Sequence, residues 1–539
     1  HTSRSYGKAS LRNESDELAG DRIYQNDNGF FTDVTKSTGI YNSQVGYGLG
    51  LAISDINRDG WPDIYVSNDF HENDYLYLNN QDGTFTESIG DLIGHTSRFS
   101  MGNDIADINS DGYPEIMTLD MLPDDEEILK NSAGEDPFEI YKLKLEFGYE
   151  PQFARNSLQL NNGDGTFSDV ALMYGVAATD WSWSPLIADY DLDGYNDIFI
   201  TNGIVKRPND LDYVSFMSGN NITAGNLSNN SKMNDQALID QMPGGKVVNR
   251  VFKNKSATGF EDETNNWLPD VPTYSTAGAY VDLDLDGDLD VVVNNIDDKA
   301  FIYENQTKDG HSLTIDLKGA PNNTFGIGAI IKVYTKEIIQ TREAFPVRGF
   351  QSSGSYRSVF GLGNAMNADS VLIEWSDGKA QTLRNVQAGQ KLTLNYKEAY
   401  EANVEGEETV LPYFSKVDDS EFDFIHQENS FVDFNYQSLI PHVVSREGPK
   451  ISVSSTTGDV YVGGASGQSG ELFKANKSAS LTQSIHEEVD NIFFDADGDG
   501  DDDLLIITGG NEFQDNSPWL ADLLYINESG KYHLATGAI

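Results

Sequence analysis

The chain has 539 residues, too many for one ordinary domain, with 38% apolar residues, 50 glycines, 26 tyrosines and 27 phenylalanines; this balance favours strands and turns over helices. Its formal net charge of −50 repels nucleic acid and anionic membrane surfaces, and so argues against both as direct partners. It contains no cysteine, which excludes disulfides, zinc-thiolate sites and thiol nucleophiles.

No apolar run is long enough to cross a bilayer, and His1 opens no signal peptide. Residues 21–35 supply only a hairpin, YQNDNGFFTDV, around an Asn/Gly turn. The text thus starts inside a repeat, as expected of a truncated or partly resolved chain, and any export signal or lipid anchor would lie upstream.

A nine-residue pattern, D-x-[DN]-x-D-G-x-x-[DE], then recurs five times: DINRDGWPD from Asp55, DINSDGYPE from Asp107, DYDLDGYND from Asp189, DLDLDGDLD from Asp282 and DADGDGDDD from Asp495. Each copy runs into a short β-branched stretch such as IYVSN, IFITN or VVVNN, which reads as a strand. Between copies lie hairpin signals, YLNNQDGTFTES, LQLNNGDGTFSDV and VFKNKSATGFEDE. One unit is therefore strand, acidic loop, strand, connection, strand, turn, strand: the text of a four-stranded propeller blade.

Insertions interrupt the spacing near 120–150, partly helical, and near 204–246, with a short helical stretch around Asp235–Gln241. Such insertions leave a blade as loops on one face. Residues 311–397 alternate as strands without an acidic loop and read as a small β-sandwich-like module. An acidic stretch, Glu398–Glu408, reads as linker. Blade text resumes at 451–465, where Ser and Thr replace the acids of the loop and the metal site is lost. The expected fold is all-β. Blades occupy 1–310, the module 311–397, linker and extended chain 398–435, and further blades of a second propeller segment 436–539.

The loops read as Ca²⁺ sites. Positions 1, 3 and 5 point inward, Gly at position 6 permits the turn, position 7 offers its carbonyl and the acid at position 9 closes the shell. Oxygen-only ligation rich in carboxylates suits a hard, flexible-geometry cation. The candidate ligands are Asp55, Asn57, Asp59, Trp61 and Asp63; Asp107, Asn109, Asp111, Tyr113 and Glu115; Asp189, Asp191, Asp193, Tyr195 and Asp197; Asp282, Asp284, Asp286, Asp288 and Asp290; and Asp495, Asp497, Asp499, Asp501 and Asp503. An EF-hand needs a bidentate Glu at position 12 followed by a helix; that position holds Val66, Thr118, Ile200, Val293 and Ile506. About five structural Ca²⁺ are expected.

These loops and the NNGDGTF hairpins resemble FG-GAP/VCBS repeats, found in integrin α-subunit propellers and many bacterial surface proteins. The 311–397 segment is similar to the ASPIC/UnbV module through RGFQSS (Arg348–Ser353), FGLG (Phe360–Gly363) and WSDG (Trp375–Gly378). With SREGP (Ser445–Pro449) before the later blades, the order resembles large repeat proteins of Bacteroidetes-type bacteria. The resemblance implies a secreted or outer-membrane-attached protein at the surface of a Gram-negative cell. Its implied partners are a polysaccharide, a protein or an outer-membrane transporter complex, and it implies no catalytic residues.

The eight histidines show no zinc spacing, and no G-x-S-x-G elbow is complete at Ser466 or Ser469. Trp181 and Trp183, with Tyr190 and Tyr195, read either as a sugar-stacking platform or as packing between blades; packing is favoured. The rings of Trp61 and Tyr113 read as packing too. A binding or assembly protein without enzymatic activity is the preferred reading. A calcium-dependent polysaccharide lyase or hydrolase on the same scaffold is the alternative.

Overall fold

The computed structural model describes residues 9–16, 19–132, 136–219, 236, 238–308, 310–401, 422–474 and 477–537. The chain divides into two compact units, His1–Glu405 and Gly406–Ile539. Parts of the expected 204–246 insertion and of the expected linker, residues 220–235, 237 and 402–421, lie outside the described residues.

The first unit begins with the antiparallel hairpin Tyr24–Asp27 and Phe30–Asp33. Three four-stranded antiparallel sheets follow, with strands a to d in chain order. Blade I is Gly48–Ser54, Asp63–Asn68, Tyr75–Asn79 and Phe85–Glu87. Blade II is Asn103–Ala106, Glu115–Thr118, Ser157–Asn161 and Phe167–Asp169. Blade III is Ser182–Ala188, Asp197–Asn202, Arg250–Asn254 and Phe260–Asp262. Blade IV has three strands, Ser275–Val281, Asp290–Asn295 and Phe301–Tyr303. The architecture is all-β, as expected; no closed propeller is found among the described residues. The 120–150 insertion carries short helices, Glu126–Lys130 and Phe138–Glu146.

Strand b is the most deeply packed. All six residues of Asp197–Asn202 are buried, which is why its text is nearly continuous apolar rather than alternating. The cores lie between blades. Ile56, Tyr65 and Leu76 of blade I meet Ile105 and Ile116 of blade II. Met117 and Leu158 of blade II meet Ile187, Ile198 and Phe252 of blade III.

Strands a of successive blades run against one another. The closeness demands glycine at Gly102, whose N–H donates to the Trp183 carbonyl at 2.9 Å; a Cβ there would meet that oxygen at 2.3 Å.

The module in the first unit packs a three-stranded sheet on a five-stranded one around Leu313, Ile331, Val371 and Ile373. Tyr400–Glu401 pairs with Lys379–Ala380, so the module runs past the expected boundary at 397. Its small hairpin, Val347–Arg348 and Ser352–Ser353, lies against strands a of blades I, II and IV. There Arg348 forms an ion pair with the buried Asp104 at 2.7 Å and donates to the Ile105 carbonyl at 3.1 Å. The Gly349 N–H bonds the Asn103 carbonyl at 2.8 Å, and the Phe350 N–H bonds Ser184 Oγ at 3.0 Å. The Arg348–Ser353 signature is thus the module's anchor in the blades.

The second unit holds two four-stranded sheets. Blade V is Ile451–Val453, Val460–Val462, Glu471–Lys474 and Lys477–Ser480; blade VI is Glu488–Phe494, Asp503–Thr508, Leu523–Asn527 and Tyr532–Leu534. Tyr461 and Leu472 of one meet Leu504, Ile506 and Tyr525 of the other.

Candidate metal centres

All five acidic loops join strand a to strand b. In each, the acid at position 9 opens strand b and pairs across the ladder with the residue just before the loop: Ser54 with Asp63, Ala106 with Glu115, Ala188 with Asp197, Val281 with Asp290 and Phe494 with Asp503. Eight residues are thereby held outside the sheet.

Their own amides shape them. The N–H at position 2 donates to the acid at position 9 in every copy: Ile56 to Asp63 (2.9 Å), Ile108 to Glu115 (2.7 Å), Tyr190 to Asp197 (3.0 Å), Leu283 to Asp290 (2.9 Å) and Ala496 to Asp503 (2.7 Å). The N–H at position 5 donates to position 3, so Asp59, Asp111, Asp193, Asp286 and Asp499 bond Asn57, Asn109, Asp191, Asp284 and Asp497. The N–H at position 7 donates to position 5, from Trp61, Tyr113, Tyr195, Asp288 and Asp501. Gly60, Gly112, Gly194 and Gly500 at position 6 donate to the acid at position 1. Such short turns are what Asp and Asn side chains form with nearby amides.

The backbone turns left-handed twice per loop. Glycine meets the second turn, at position 6, with φ of 89° at Gly60 and 97° at Gly194. The first, at position 4, falls on Arg58, Ser110, Leu192, Leu285 and Gly498, with φ between 60° and 83°. Four of these five residues have a Cβ and bear strain in that region.

The side chains converge in three loops. Ligand oxygens of Asp189, Asp191 and Asp197 lie within 4.8 Å of one another, as do those of Asp282, Asp284 and Asp286, and of Asp495, Asp497 and Asp503. In the first two loops Asn stands at position 3 and its amide turns to position 5, Asn57 to Asp59 at 3.2 Å and Asn109 to Asp111 at 2.9 Å.

These sets fit a cation. Asp55 Oδ1, Glu115 Oε1, Asp189 Oδ1, Asp282 Oδ1, Asp288 Oδ1 and Asp501 Oδ1 are buried oxygens without a hydrogen-bond partner. Burying carboxylate oxygens uncompensated is costly. Burial, then the charge of Glu343, pushes Asp55 up to about 6; burial raises Asp63 to about 7. Burial with Asp111 raises Asp107 to about 6. Burial with Asp193 and Asp191 raises Asp189 to about 8. Without a positive charge, these loops resist ionisation. Lys253 of strand c in blade III supplies one such charge, pairing with Asp191 and, at 3.1 Å, with Asp193. The chemistry of the donor set, carboxylate, amide and carbonyl oxygen throughout, is that of a hard cation.

Sequence reasoning missed the residue that ties each loop outward. An Asn closes strand c, or follows it, in each of the five blades that carry an acidic loop. Asn79, Asn254, Asn305 and Asn527 donate their N–H to the position-9 acid at 2.7–2.9 Å. Their side chains, and that of Asn161, bond the carbonyl at position 8 of the same loop. Three also reach the preceding blade: Asn161 to Ile56 O (3.1 Å), Asn254 to Ile108 O (2.8 Å) and Asn305 to Tyr190 O (2.7 Å). The only sequence signal was the repeated Asn before each hairpin turn.

The aromatic cluster is interior. Trp181 and Tyr190 are buried, and Trp183 packs on Phe350 at 5.0 Å while its Nε1 donates to the Gly203 carbonyl. Trp183 and Tyr195 keep partial exposure. Trp61, by contrast, is 44% exposed, which corrects the expectation that its ring packs, whereas the Tyr113 ring lies beside Gly163.

An all-β chain of repeated acidic-loop blades is the class these observations define. The FG-GAP-like repeat model matches residues 55–118 and 150–200, and the ASPIC and UnbV model matches residues 319–401. The chain carries FG-GAP-like repeats and an ASPIC/UnbV module. No curated protein matches it. Among solved structures, it is similar to an Agrocybe aegerita lectin described as recognising non-reducing terminal N-acetylglucosamine, at 15% identity over 54% of this chain and 75% of that chain, TM-score 0.22. It is also similar to the V. cholerae biofilm matrix protein Bap1, at 11% identity over 92% of this chain and 72% of that one, TM-score 0.25. Similarity at this level carries no argument about fold or ligand.

Proposed function

We propose that the five acidic loops bind Ca²⁺ as structural ions, and that the chain is an extracellular or cell-surface binding and assembly protein. The observation that carries the metal reading is the set of buried, unpartnered carboxylate oxygens at Asp55, Glu115, Asp189, Asp282, Asp288 and Asp501, in loops whose amides already satisfy other ligand oxygens. Oxygen donors in a flexible loop favour Ca²⁺ over the smaller, more rigidly octahedral Mg²⁺. Extracellular Ca²⁺ levels suit such modules, and a chain without cysteine gains from metal what others gain from disulfides.

Recognition then belongs to exposed features rather than to the loops. The 204–246 insertion displays Leu211, Val214 and Phe216, each 39–40% exposed, on the helix Leu211–Gly219. A surface protein or glycan partner, including an outer-membrane uptake complex, suits this reading; no helix among the described residues is long and apolar enough to cross a membrane. Isothermal titration of the EDTA-stripped chain tests the metal reading. About five Ca²⁺ per chain are expected, with tighter binding than Mg²⁺; a stoichiometry of zero refutes it. Incubation with acidic polysaccharides, followed by absorbance of unsaturated uronates, tests the non-enzymatic reading; turnover refutes that.

A further inference from the structure

We propose that the open outer edge of blade IV is a receptor for an extended strand of another polypeptide, one that carries an aromatic side chain followed two residues later by an acid. The proposal goes beyond the calcium reading and does not rest on it.

Blades I to III each finish with a strand d, and each strand d carries the same pair: Phe85 and Glu87, Phe167 and Asp169, Phe260 and Asp262. The phenylalanine inserts between blades. Phe260 is 9% exposed, packs with Met117 and Leu158 of blade II, and meets Tyr174 edge-on at 6.1 Å. Phe167 packs likewise onto the core between blades I and II. The acid then takes amides of its own blade: Glu87 accepts from Leu76 (3.2 Å) and Ile89 (2.9 Å), and Asp169 from Leu158 (3.2 Å) and Ala171 (2.9 Å).

Blade IV stops at strand c. Phe301–Tyr303 pairs with strand b on one side and has no strand on the other among the described residues. Ile302 in its middle is 67% exposed. Beside it a cleft of about 560 Å³ opens between blades III and IV, lined by Phe199, Val251, Trp267, Leu268, Val291 and Tyr303 among others. That volume lies within the usual range of ligand pockets, roughly 300–1,000 Å³.

Register identifies the cleft. Phe199 pairs with Val251 in blade III as Met117 pairs with Leu158 in blade II. The floor of the cleft is therefore the blade III counterpart of the surface on which Phe260 sits. The same register places Ile302 where Leu76 lies in blade I, opposite Val292 and Tyr65 respectively. An incoming strand would set its aromatic ring on Phe199, Val251 and Leu268, and its acid at the Ile302 amide. Strand addition to an open sheet edge, with side-chain pockets giving specificity, is an established recognition mode, and an uncovered edge invites it. After Tyr303 no described residue of the chain returns to this edge: the next strand, from His311, pairs with Ser358–Gly363 and Lys391–Asn395 of the module.

The test uses the full chain and a synthetic peptide of residues 163–171, GDGTFSDVA, with Trp267 fluorescence and calorimetry as readouts. Saturable one-to-one binding is expected. The peptide with Phe167→Ala should bind roughly ten- to a hundredfold more weakly. The chain variant Leu268→Asp, checked for an unchanged circular dichroism spectrum, should lose binding; that arm separates the blade IV cleft from strand exchange in blade II. Absence of saturable binding, or equal binding of both peptides to the wild-type chain, overturns the proposal whatever the variant does.

Discussion

Blades V and VI connect strands a and b in opposite ways. In blade VI the connection is the acidic loop from Asp495 to Asp503. In blade V, residues 454–459 make the same turn with hydroxyls, and the charge they hold comes from the neighbour. Asp502 accepts from Ser454 Oγ (2.8 Å), Ser455 Oγ (3.1 Å) and the Thr456 N–H (3.1 Å). The consequence appears in the acids. The Ser454 hydrogen bond, foremost, holds Asp502 below the usual carboxylate range, whereas desolvation pushes Asp497 and Asp501 above it. One turn satisfies its anion with protein donors. The other gathers the carboxylates of Asp495, Asp497 and Asp503, a set that could hold a cation. At 454–459 hydroxyl and amide donors thus shape the turn in place of the acid cluster, and the blade keeps its four strands.

The largest effect expected from this contrast is on metal removal. Each site saturated at a hundredfold excess over its Kd contributes about 2.7 kcal/mol, so EDTA should lower the melting temperature markedly and raise amide exchange at 495–503 while leaving 454–459 protected. Equal deprotection of both turns would break the comparison. Next, Asp503→Ala strips acceptors from the Ala496 and Asn527 amides and should cost about 3 kcal/mol, by chemical denaturation, with the Ca²⁺ bound falling by one. Asp502→Ala should cost less, about 1–2 kcal/mol, equally with and without Ca²⁺.

The pH dependence is expected to differ in sign. Folded Asp63, Asp189 and the non-loop Asp74 hold their protons up to about 7, 8 and 7, whereas an unfolded aspartate releases its proton near 4. Between those values the folded state binds more protons, so stability in EDTA should fall as pH rises from about 5 to 8. Ca²⁺ should flatten the loop share of that fall. Asp502 is shifted the other way; its contribution is present above the unfolded value and is lost as pH drops through the folded one. The smallest contrast is a matched pair. Gly500 and Gly458 both have positive φ, 95° and 73°, and open space around a would-be Cβ. Alanine should cost about 1 kcal/mol at each, because the strain belongs to the backbone and not to the metal.

The acidic loops and their flanking strands were legible because one spacing dictates both chemistry and chain reversal. The ligand positions Asp189, Asp191 and Asp197 could be read off and come together as expected. The left-handed residue at position 4 could not, since Arg58, Ser110 and Leu192 share no side-chain property; the loop's hydrogen bonds impose that conformation against local preference. The burial of Trp181 and Tyr190 was favoured from the text, yet the exposure of Trp61 was not, because a ring's environment depends on neighbouring blades that no local pattern names. Nor did strand spacing reveal that blade IV lacks a strand d among the described residues: the text after Tyr303 stays polar and turn-like, much as a hairpin would.

The asparagines at the end of strand c tie each repeat to the one before it. The Ile56 carbonyl in the loop of blade I is met by Asn161, and Ile108 in blade II by Asn254. One loop is therefore fastened by a residue of the next blade, so a cut between Asp107 and Asn161 would leave the first loop formed but unfastened.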